Sequence, residues 1–218
     1  MKRIRQGSYG GSFAGTLRAA FSALALLIAS TLCYAGTPYA EMPAGKYTLD
    51  KTHAQLHWRV SHLGLINYTA RFTDFDATLV YDPKDPEKSS LEATVNPLSL
   101  ETDYPYPEET DFDKKLSEGK DWLNGKKFPT IKFTSTELKK IDDKTGTITG
   151  NLNFLGVTKP MTLNVTFNGA MAKQPFSKKP TLGFSAVGKI KRSDWGLTTY
   201  VPNIGDEVEL LIEAEFAQ

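Results

Sequence analysis

Apolar and polar residues alternate with a period of two along most of the chain after residue 46. In the first such segment Leu56, Trp58 and Val60 share one face, while His57 and Arg59 share the other. Side chains point to opposite faces along a strand, so this period predicts strands with one dry face. Eight apolar rows predict eight antiparallel strands, and these rows occupy residues 54–60, 68–81, 91–95, 131–133, 148–154, 161–167, 182–190 and 208–216.

Two rows carry irregularities. The row in 68–81 changes parity between Phe72 and Phe75, which predicts a bulge near Thr73 and Asp74 within one strand. Gly150 interrupts the fifth row, and a missing side chain there allows a strand to bend or a ligand to approach the backbone.

One insert, residues 101–129, breaks the alternation. Its first part, 101–109, is acidic, aromatic and rich in proline, which predicts an extended loop. We expect Thr110 to cap a short helix that ends near Glu118, and a second helical turn over 120–124. The expected fold class is therefore all-β with a short helical insert.

Eight antiparallel strands either close into a barrel or stack as two sheets, because a large open sheet exposes its edges. The sequence leaves both arrangements open. A closed barrel of this size can hold one small ligand, and its pore would be lined by inward aromatic and apolar residues alternating with small ones. The alternative is that the same residues fill a dry core. The expected lining residues are Trp58, Val60, Phe72, Phe75, Phe133, Phe154, Phe167 and Phe184.

The N-terminus has the pattern of a secretory signal. Basic residues such as Arg5 and Arg18 precede an apolar stretch over 19–32, and residues 33–35 then offer small side chains, Cys33 and Ala35, at the usual cleavage positions. The stretch is short for a membrane span. A lipid anchor on Cys33 is disfavoured by the bulky Leu32 before it. We expect a signal peptide over 1–35, an extension over 36–46, a barrel domain over 47–218, and secretion.

Charge and cysteine content limit the expected binding partners and the means by which the mature domain is stabilised. The leader contains four basic and no acidic residues, so the mature chain has 22 basic and 25 acidic residues. The lysines are scattered among acids, so nucleic acid is not an expected partner. The single cysteine lies in the leader, and the mature domain must therefore be held by its core.

The sequence gives little support for a catalytic site or a metal site. His53 and His57 would share one strand face and His62 would lie on the other, so the three histidines are not expected to bind one ion. Motifs for a serine nucleophile, a zinc helix or a phosphate loop are absent from the sequence. We expect no catalytic residue, no metal and no cofactor apart from a bound lipid.

An ordered set of short motifs resembles the YceI-like family. The set opens with an aspartate, a histidine and alternating apolar residues that end in His62-Leu63-Gly64. One departure lies in the insert, where many members carry Asp-x-His and this chain has Asp111-Phe112-Asp113. The motifs follow one another over nearly the whole mature chain and occupy residues 47–53, 56–64, 72–76, 126–135, 150–152, 155–160, 183–186 and 191–196.

The resemblance implies an elongated, lipocalin-like barrel whose apolar pore holds a polyisoprenoid, a fatty-acid-like amide or an isoprenoid quinone. It also implies a periplasmic location, in agreement with the leader. Because the family includes dimers, a homodimer is a further expectation, although no patch in the sequence identifies an interface. A polar head would lie at the barrel mouth, where tyrosine and tryptophan combine an apolar ring with one hydrogen-bonding group. The mouth candidates are His62, Tyr104, Tyr106, Trp195 and Tyr200.

Three functions compete on this basis. The leading one is transport or storage of an amphiphilic lipid in the periplasm. The second is a non-catalytic interaction module of the cell envelope, with a filled core and with loop 103–109 contacting a partner. The third, an enzyme that acts on a lipid or a stress metabolite, would need a convergent polar cluster inside the pore.

Overall fold

Ten strand segments form one antiparallel sheet in the computed structural model, which describes residues 36–218. The predicted signal peptide, residues 1–35, lies outside the described residues. Helix α1 spans Phe112–Glu118. The strands are β1 (Gly45–His62), β2 (Ile66–Phe72), β3 (Phe75–Tyr81), β4 (Ser90–Val95), β5 (Leu100–Glu101), β6 (Ile131–Lys140), β7 (Thr145–Phe154), β8 (Val157–Met171), β9 (Thr181–Lys191) and β10 (Ile204–Ala217).

The sheet closes on itself. Its order is β10-β9-β8-β7-β6-β4-β3-β1-β2-β5, and β10 also pairs with β1. Strands β2 and β3 follow each other along β1, and β5 is a two-residue bridge on β2. The wall is therefore a closed eight-stranded antiparallel barrel, which confirms the predicted fold class and answers the choice between a barrel and two stacked sheets.

The second predicted strand, 68–81, is in fact two strands. The chain leaves the ladder at Thr73 and Asp74, where a single bulge was expected. The Thr73 amide donates to the Ser99 carbonyl at 3.1 Å, and the Asp74 amide donates to Ser99 Oγ at 3.0 Å. Because the segment before β5 takes these hydrogen bonds, pairing with β1 is interrupted.

Strand β1 begins earlier than predicted and contains a bulge in which four residues lie opposite one residue of β10. It starts at Gly45, so the expected extension 36–46 runs into the strand. Residues 50–53 lie opposite the single residue Glu215 of β10, because Leu49 pairs with Phe216 and Ala54 with Ala214. The preceding segment belongs to the core, since Met42 is 2% exposed and packs in a cluster with the fully buried Tyr47.

The helical insert differs from expectation at two points. The N-cap of α1 is Asp111 and not Thr110, because the Asp111 carboxylate accepts from the Lys114 amide at 2.9 Å. Residues 120–124 form hydrogen-bonded turns and no helix: the amides of Trp122 and Asn124 both donate to the Gly119 carbonyl at 3.0 Å. The insert covers one end of the barrel through buried Leu116.

The strand directions give the barrel two ends. The hairpin end comprises residues 36–44, 82–89, 141–144 and 172–180, and the helical end comprises residues 62–66, 97–130, 155–156 and 192–203. Within residues 36–218, no helix is long and apolar enough to cross a membrane.

Candidate functional site

A cavity of about 390 Å³ lies inside the barrel. Small-molecule sites are commonly about 300–1,000 Å³. The ten-residue strand β6 contributes lining from Ile131 at one end to Lys140 at the other. At ~3.3 Å per residue and a tilt of roughly 40°, that strand covers roughly 25 Å along the barrel axis. The inward rows therefore leave a long slot and do not fill the barrel.

The middle of the slot is apolar on every side. Small residues such as Ala77, Ala93 and Ala186 separate larger ones, which is why space remains between the rings. The wall includes all eight of the lining residues expected from the sequence; their contact with a ligand stays a prediction. These eight are Trp58, Val60, Phe72, Phe75, Phe133, Phe154, Phe167 and Phe184.

At the helical end the cavity meets further apolar side chains. They belong to α1, to the turns after it and to the segment before β10, and they are Leu116, Trp122, Leu123 and Leu197. Both Leu116 and Leu197 are buried. This end of the slot is therefore suited to a hydrocarbon.

Arg192 also reaches the cavity at the helical end, although its guanidinium is committed to the backbone. The residue is 3% exposed. Nε donates to the Gly205 carbonyl at 2.8 Å, Nη1 to Leu197 at 3.2 Å, and Nη2 to Thr199 and Ile204 at 2.8 Å each. Burial lowers the pKa of Arg192. The side chain ties the loop before β10 to the barrel, a role that the sequence did not reveal.

The five mouth candidates all belong to the helical end or its rim, and none of them is among the residues that line the cavity. Trp195 departs most from expectation, because it is 4% exposed and its ring packs 6.4 Å from that of Phe154. Its Nε1 donates to the Leu152 carbonyl at 3.3 Å, so the polar group of this ring faces backbone and not an opening.

The other four candidates lie nearer the surface. Tyr104 packs against Tyr106 at 6.0 Å and against Phe112 at 5.2 Å. Tyr200 is 65% exposed and lies 6.0 Å from Trp122, which does line the cavity. His62 is exposed at the end of β1. Any contact of these residues with a ligand stays a prediction.

Polar side chains line the cavity mainly at the hairpin end, which the sequence did not single out. Lys140 donates through Nζ to Tyr39 Oη at 2.6 Å and to Asp143 Oδ1 at 2.7 Å. Both interactions raise the pKa of Lys140, and the hydrogen bond to Asp143 is the larger cause. Tyr39 lies in the unpatterned extension, and no local signal connects it with a hairpin about a hundred residues away. The polar lining residues here include Tyr39, Lys139, Lys140, Asp142, Asp143 and Lys144.

A separate polar group lies on the outer face of the β1 bulge. Ligand atoms of Asp50, His53 and Glu215 lie within 4.8 Å of one another. The Asp50 carboxylate accepts from Thr52 Oγ1 at 2.6 Å and lies 2.9 Å from His53 Nδ1. These hydrogen bonds lower the pKa of Asp50 to about 2, and the one from Thr52 is the largest cause. The hydrogen bond and charge of Asp50 raise the pKa of His53. We interpret the group as an ion-paired turn, and His57 and His62 are not part of it.

Fold and cavity together define a class of protein, the closed eight-stranded β-barrel with an apolar internal pore. Comparison with known families then places the chain within that class. The model of the YceI-like domain matches residues 47–216, so the chain belongs to the YceI-like family. The resemblance drawn from the sequence motifs is confirmed.

Relatives and solved structures agree with this placement. Protein YceI of Salmonella arizonae is 39% identical over 177 residues, which cover 80% of this chain and 88% of the relative. The crystal structure of the Campylobacter jejuni YCEI protein is 32% identical, with a TM-score of 0.63, and the match covers 72% of this chain and 89% of that one. A polyisoprenoid binding domain from Saccharophagus degradans shares the fold at 12% identity, with a TM-score of 0.52 and coverage of 80% and 99%.

Proposed function

We propose that this protein is a periplasmic carrier that holds the apolar tail of an amphiphilic lipid, such as a polyisoprenoid or an isoprenoid quinone, inside its barrel. The observation that carries the proposal is the long cavity with an apolar middle and an apolar helical end. The periplasmic location rests on the predicted leader over 1–35. The polyisoprenoid class is supported by the name of the Saccharophagus degradans domain, which has the same fold.

Burial alone supplies the affinity that such a carrier needs. Each methylene that moves from water into the pore contributes about 0.8 kcal/mol, so several isoprene units give a large total before the costs of ordering the chain. A shape-complementary wall is sufficient for this, and we propose binding without catalysis.

The test is mass spectrometry of an organic extract from mature protein purified without detergent from its own periplasm. A stoichiometric isoprenoid or acyl lipid is the expected result. Ala186→Phe, which adds a ring inside the cavity, is expected to lower the extracted amount severalfold, since a filled slot has less apolar volume to offer. Val187→Phe, at the next position on the outer face, is the matched control and is expected to keep the wild-type amount.

An empty extract would contradict the proposal if the protein were folded and also failed to bind added lipid. In that case an interaction module becomes the better explanation, with loop 103–109 as its contact. Deletion of that loop would then abolish capture of an envelope partner.

A further inference from the structure

The polarity of the cavity changes along its length. Among the described residues that line it, the charged side chains other than Arg192 all belong to residues 139–144, at the hairpin end. The opposite end presents Trp122, Leu123 and Leu197. A slot that is apolar along its body and polar at one end matches an amphiphile in one orientation.

The buried polar groups of Arg192 and Trp195 at the helical end are already occupied. The Arg192 guanidinium donates to four backbone carbonyls, and the Trp195 N–H donates to that of Leu152. A lipid head placed there would have to compete with bonds that hold the loop before β10. These groups are therefore poor partners for a ligand.

The hairpin end offers a cation beside the apolar wall. The Tyr39 ring packs edge-on against Phe167 of the wall, with ring centroids 6.0 Å apart, and its hydroxyl accepts from Lys140 Nζ at 2.6 Å. The Lys140 ammonium also lies 5.1 Å from the centroid of the Tyr39 ring. One aromatic side chain thus touches both the hydrocarbon surface and the charge.

The ion pair that holds this cation is open to exchange. The Asp143 side chain is 83% exposed, and exposed ion pairs are weak in water. By contrast, the Asp142 carboxylate accepts from the amides of Lys144 and Thr145, at 2.7 Å each, and is fixed in the hairpin turn. An acceptor oxygen of a ligand could replace Asp143 on Lys140 without disturbing the turn.

We propose that Tyr39 and Lys140 form the head-group site of the pore, and that the ligand lies with its tail directed toward Trp122. This inference rests on the proposed lipid-binding function and adds an orientation and a head-group class to it. The head carries an acceptor oxygen, as in a phosphate, a carboxylate or a carbonyl group. Charge-assisted hydrogen bonds to such an oxygen are the strongest that the lining can supply.

Tryptophan fluorescence tests the orientation directly, because the three tryptophans lie away from the hairpin end. The double variant Trp58→Phe/Trp195→Phe leaves Trp122 as the single reporter at the helical end. Stearate that carries a nitroxide quencher at carbon 16 is expected to quench Trp122 at least about twice as strongly as stearate with the quencher at carbon 5. The reverse order would overturn the orientation. If the double variant does not fold, the single variant Trp58→Phe gives the same comparison, because Trp195, the second remaining reporter, also lies at the helical end.

Affinity tests the head-group site separately. Lys140→Gln and Tyr39→Phe are expected to weaken stearate binding, Lys140→Gln by about tenfold, the order of one charge-assisted hydrogen bond. Lys189→Gln removes an exposed ion pair of the same length, 2.7 Å to Glu207, on the outer face, and is expected to leave binding unchanged. Equal affinities for Lys140→Gln and Lys189→Gln would overturn the site.

Methyl stearate, which lacks the carboxylate charge, distinguishes a neutral head group from an anionic one. A loss for Lys140→Gln with both stearate and methyl stearate supports a neutral acceptor oxygen, and a loss with stearate alone supports an anionic one. If neither stearate nor methyl stearate binds to the folded wild-type protein and its organic extract is also empty, the proposed function itself fails. A reversed quenching order or equal affinities of the variants overturn only the orientation or the head-group site.

Discussion

The ring of Phe133 lies over the backbone of Gly150 on the neighbouring strand. A Cβ atom on Gly150 would lie 2.5 Å from Phe133 Cζ and 2.5 Å from the Thr134 carbonyl oxygen. The contact occurs beside a bulge in β6, where Ser135 pairs with Gly150 and Glu137 pairs with Thr149. The missing side chain therefore lets an aromatic ring of the cavity wall approach the backbone of β7 closely.

Gly150→Ala is expected to destabilise the barrel by about 1–3 kcal/mol, because the added methyl forces Phe133 and the β6 backbone to move. Displacement of the ring should also reduce lipid uptake. Urea unfolding measures the first effect and lipid extraction the second. Gly183→Ala is the matched control, since its Cβ would meet no atom closer than 3.7 Å. Equal stabilities for the two variants would show that the close contact does not constrain the fold.

The sequence predicted the wall of the barrel well because that wall depends on local alternation. Each inward residue, such as Phe167 or Phe184, is identified by its parity along one strand, and that parity does not depend on the length or path of the loops. The break at Thr73 was less predictable. It depends on hydrogen bonds that the Thr73 and Asp74 amides donate to Ser99, a residue with no periodic relationship to the strand.

The helix cap gives a second prediction. Asp111→Ala is expected to lower the free energy of unfolding by about 1 kcal/mol, because the Lys114 amide loses its acceptor. Thr110→Ala, one residue earlier, should change it by less than about 0.5 kcal/mol. Both are measured by urea unfolding. A larger loss for the Thr110 variant would assign the cap to the residue that the sequence pattern favoured.

Arg192 provides a third prediction. Arg192→Lys keeps the charge but loses the planar set of donors that reaches four carbonyls, so the loop before β10 is left with unpaired groups. We expect a loss of about 3 kcal/mol in the free energy of unfolding. Lys191→Ala, at the exposed neighbouring position, should stay within about 0.5 kcal/mol of wild type. A wild-type transition for Arg192→Lys would show that the guanidinium bonds are dispensable.

The polar end of the site could not be predicted from the sequence because it is assembled from distant segments. Tyr39 comes from a stretch without periodic pattern, while Lys140 and Asp143 flank an ordinary hairpin turn. The tyrosines of the insert were more conspicuous, since aromatic residues cluster with prolines at 104–107. Their place outside the cavity lining follows from the packing of Tyr104 on Phe112, a tertiary contact that composition does not reveal.

The Asp50 and His53 pair gives a pH-dependent prediction whose sign can be worked out. The folded pKa of Asp50 is about 2, below its ordinary 3.8, so its contribution to stability is present above pH 3.8 and is lost as the pH falls toward 2. The folded pKa of His53 is raised above 6.5, so its contribution is present below pH 6.5 and is lost as the pH rises through the folded value. The pair therefore stabilises the protein most between about pH 4 and pH 6.5.

Asp50→Asn removes the charge and keeps an oxygen that can accept from Thr52, so it isolates the ionic part of the interaction. We expect the pKa of His53, followed by NMR, to fall in this variant, and the stability difference from wild type to be larger at pH 5 than at pH 9. Glu207→Gln removes a carboxylate from the other end of the strand that holds Glu215, and it should leave the His53 titration unchanged. An unchanged His53 titration in Asp50→Asn would mean that the 2.9 Å contact does not act as an ion pair in solution, and the bulge opposite Glu215 would then be held by the Thr52 hydrogen bonds alone.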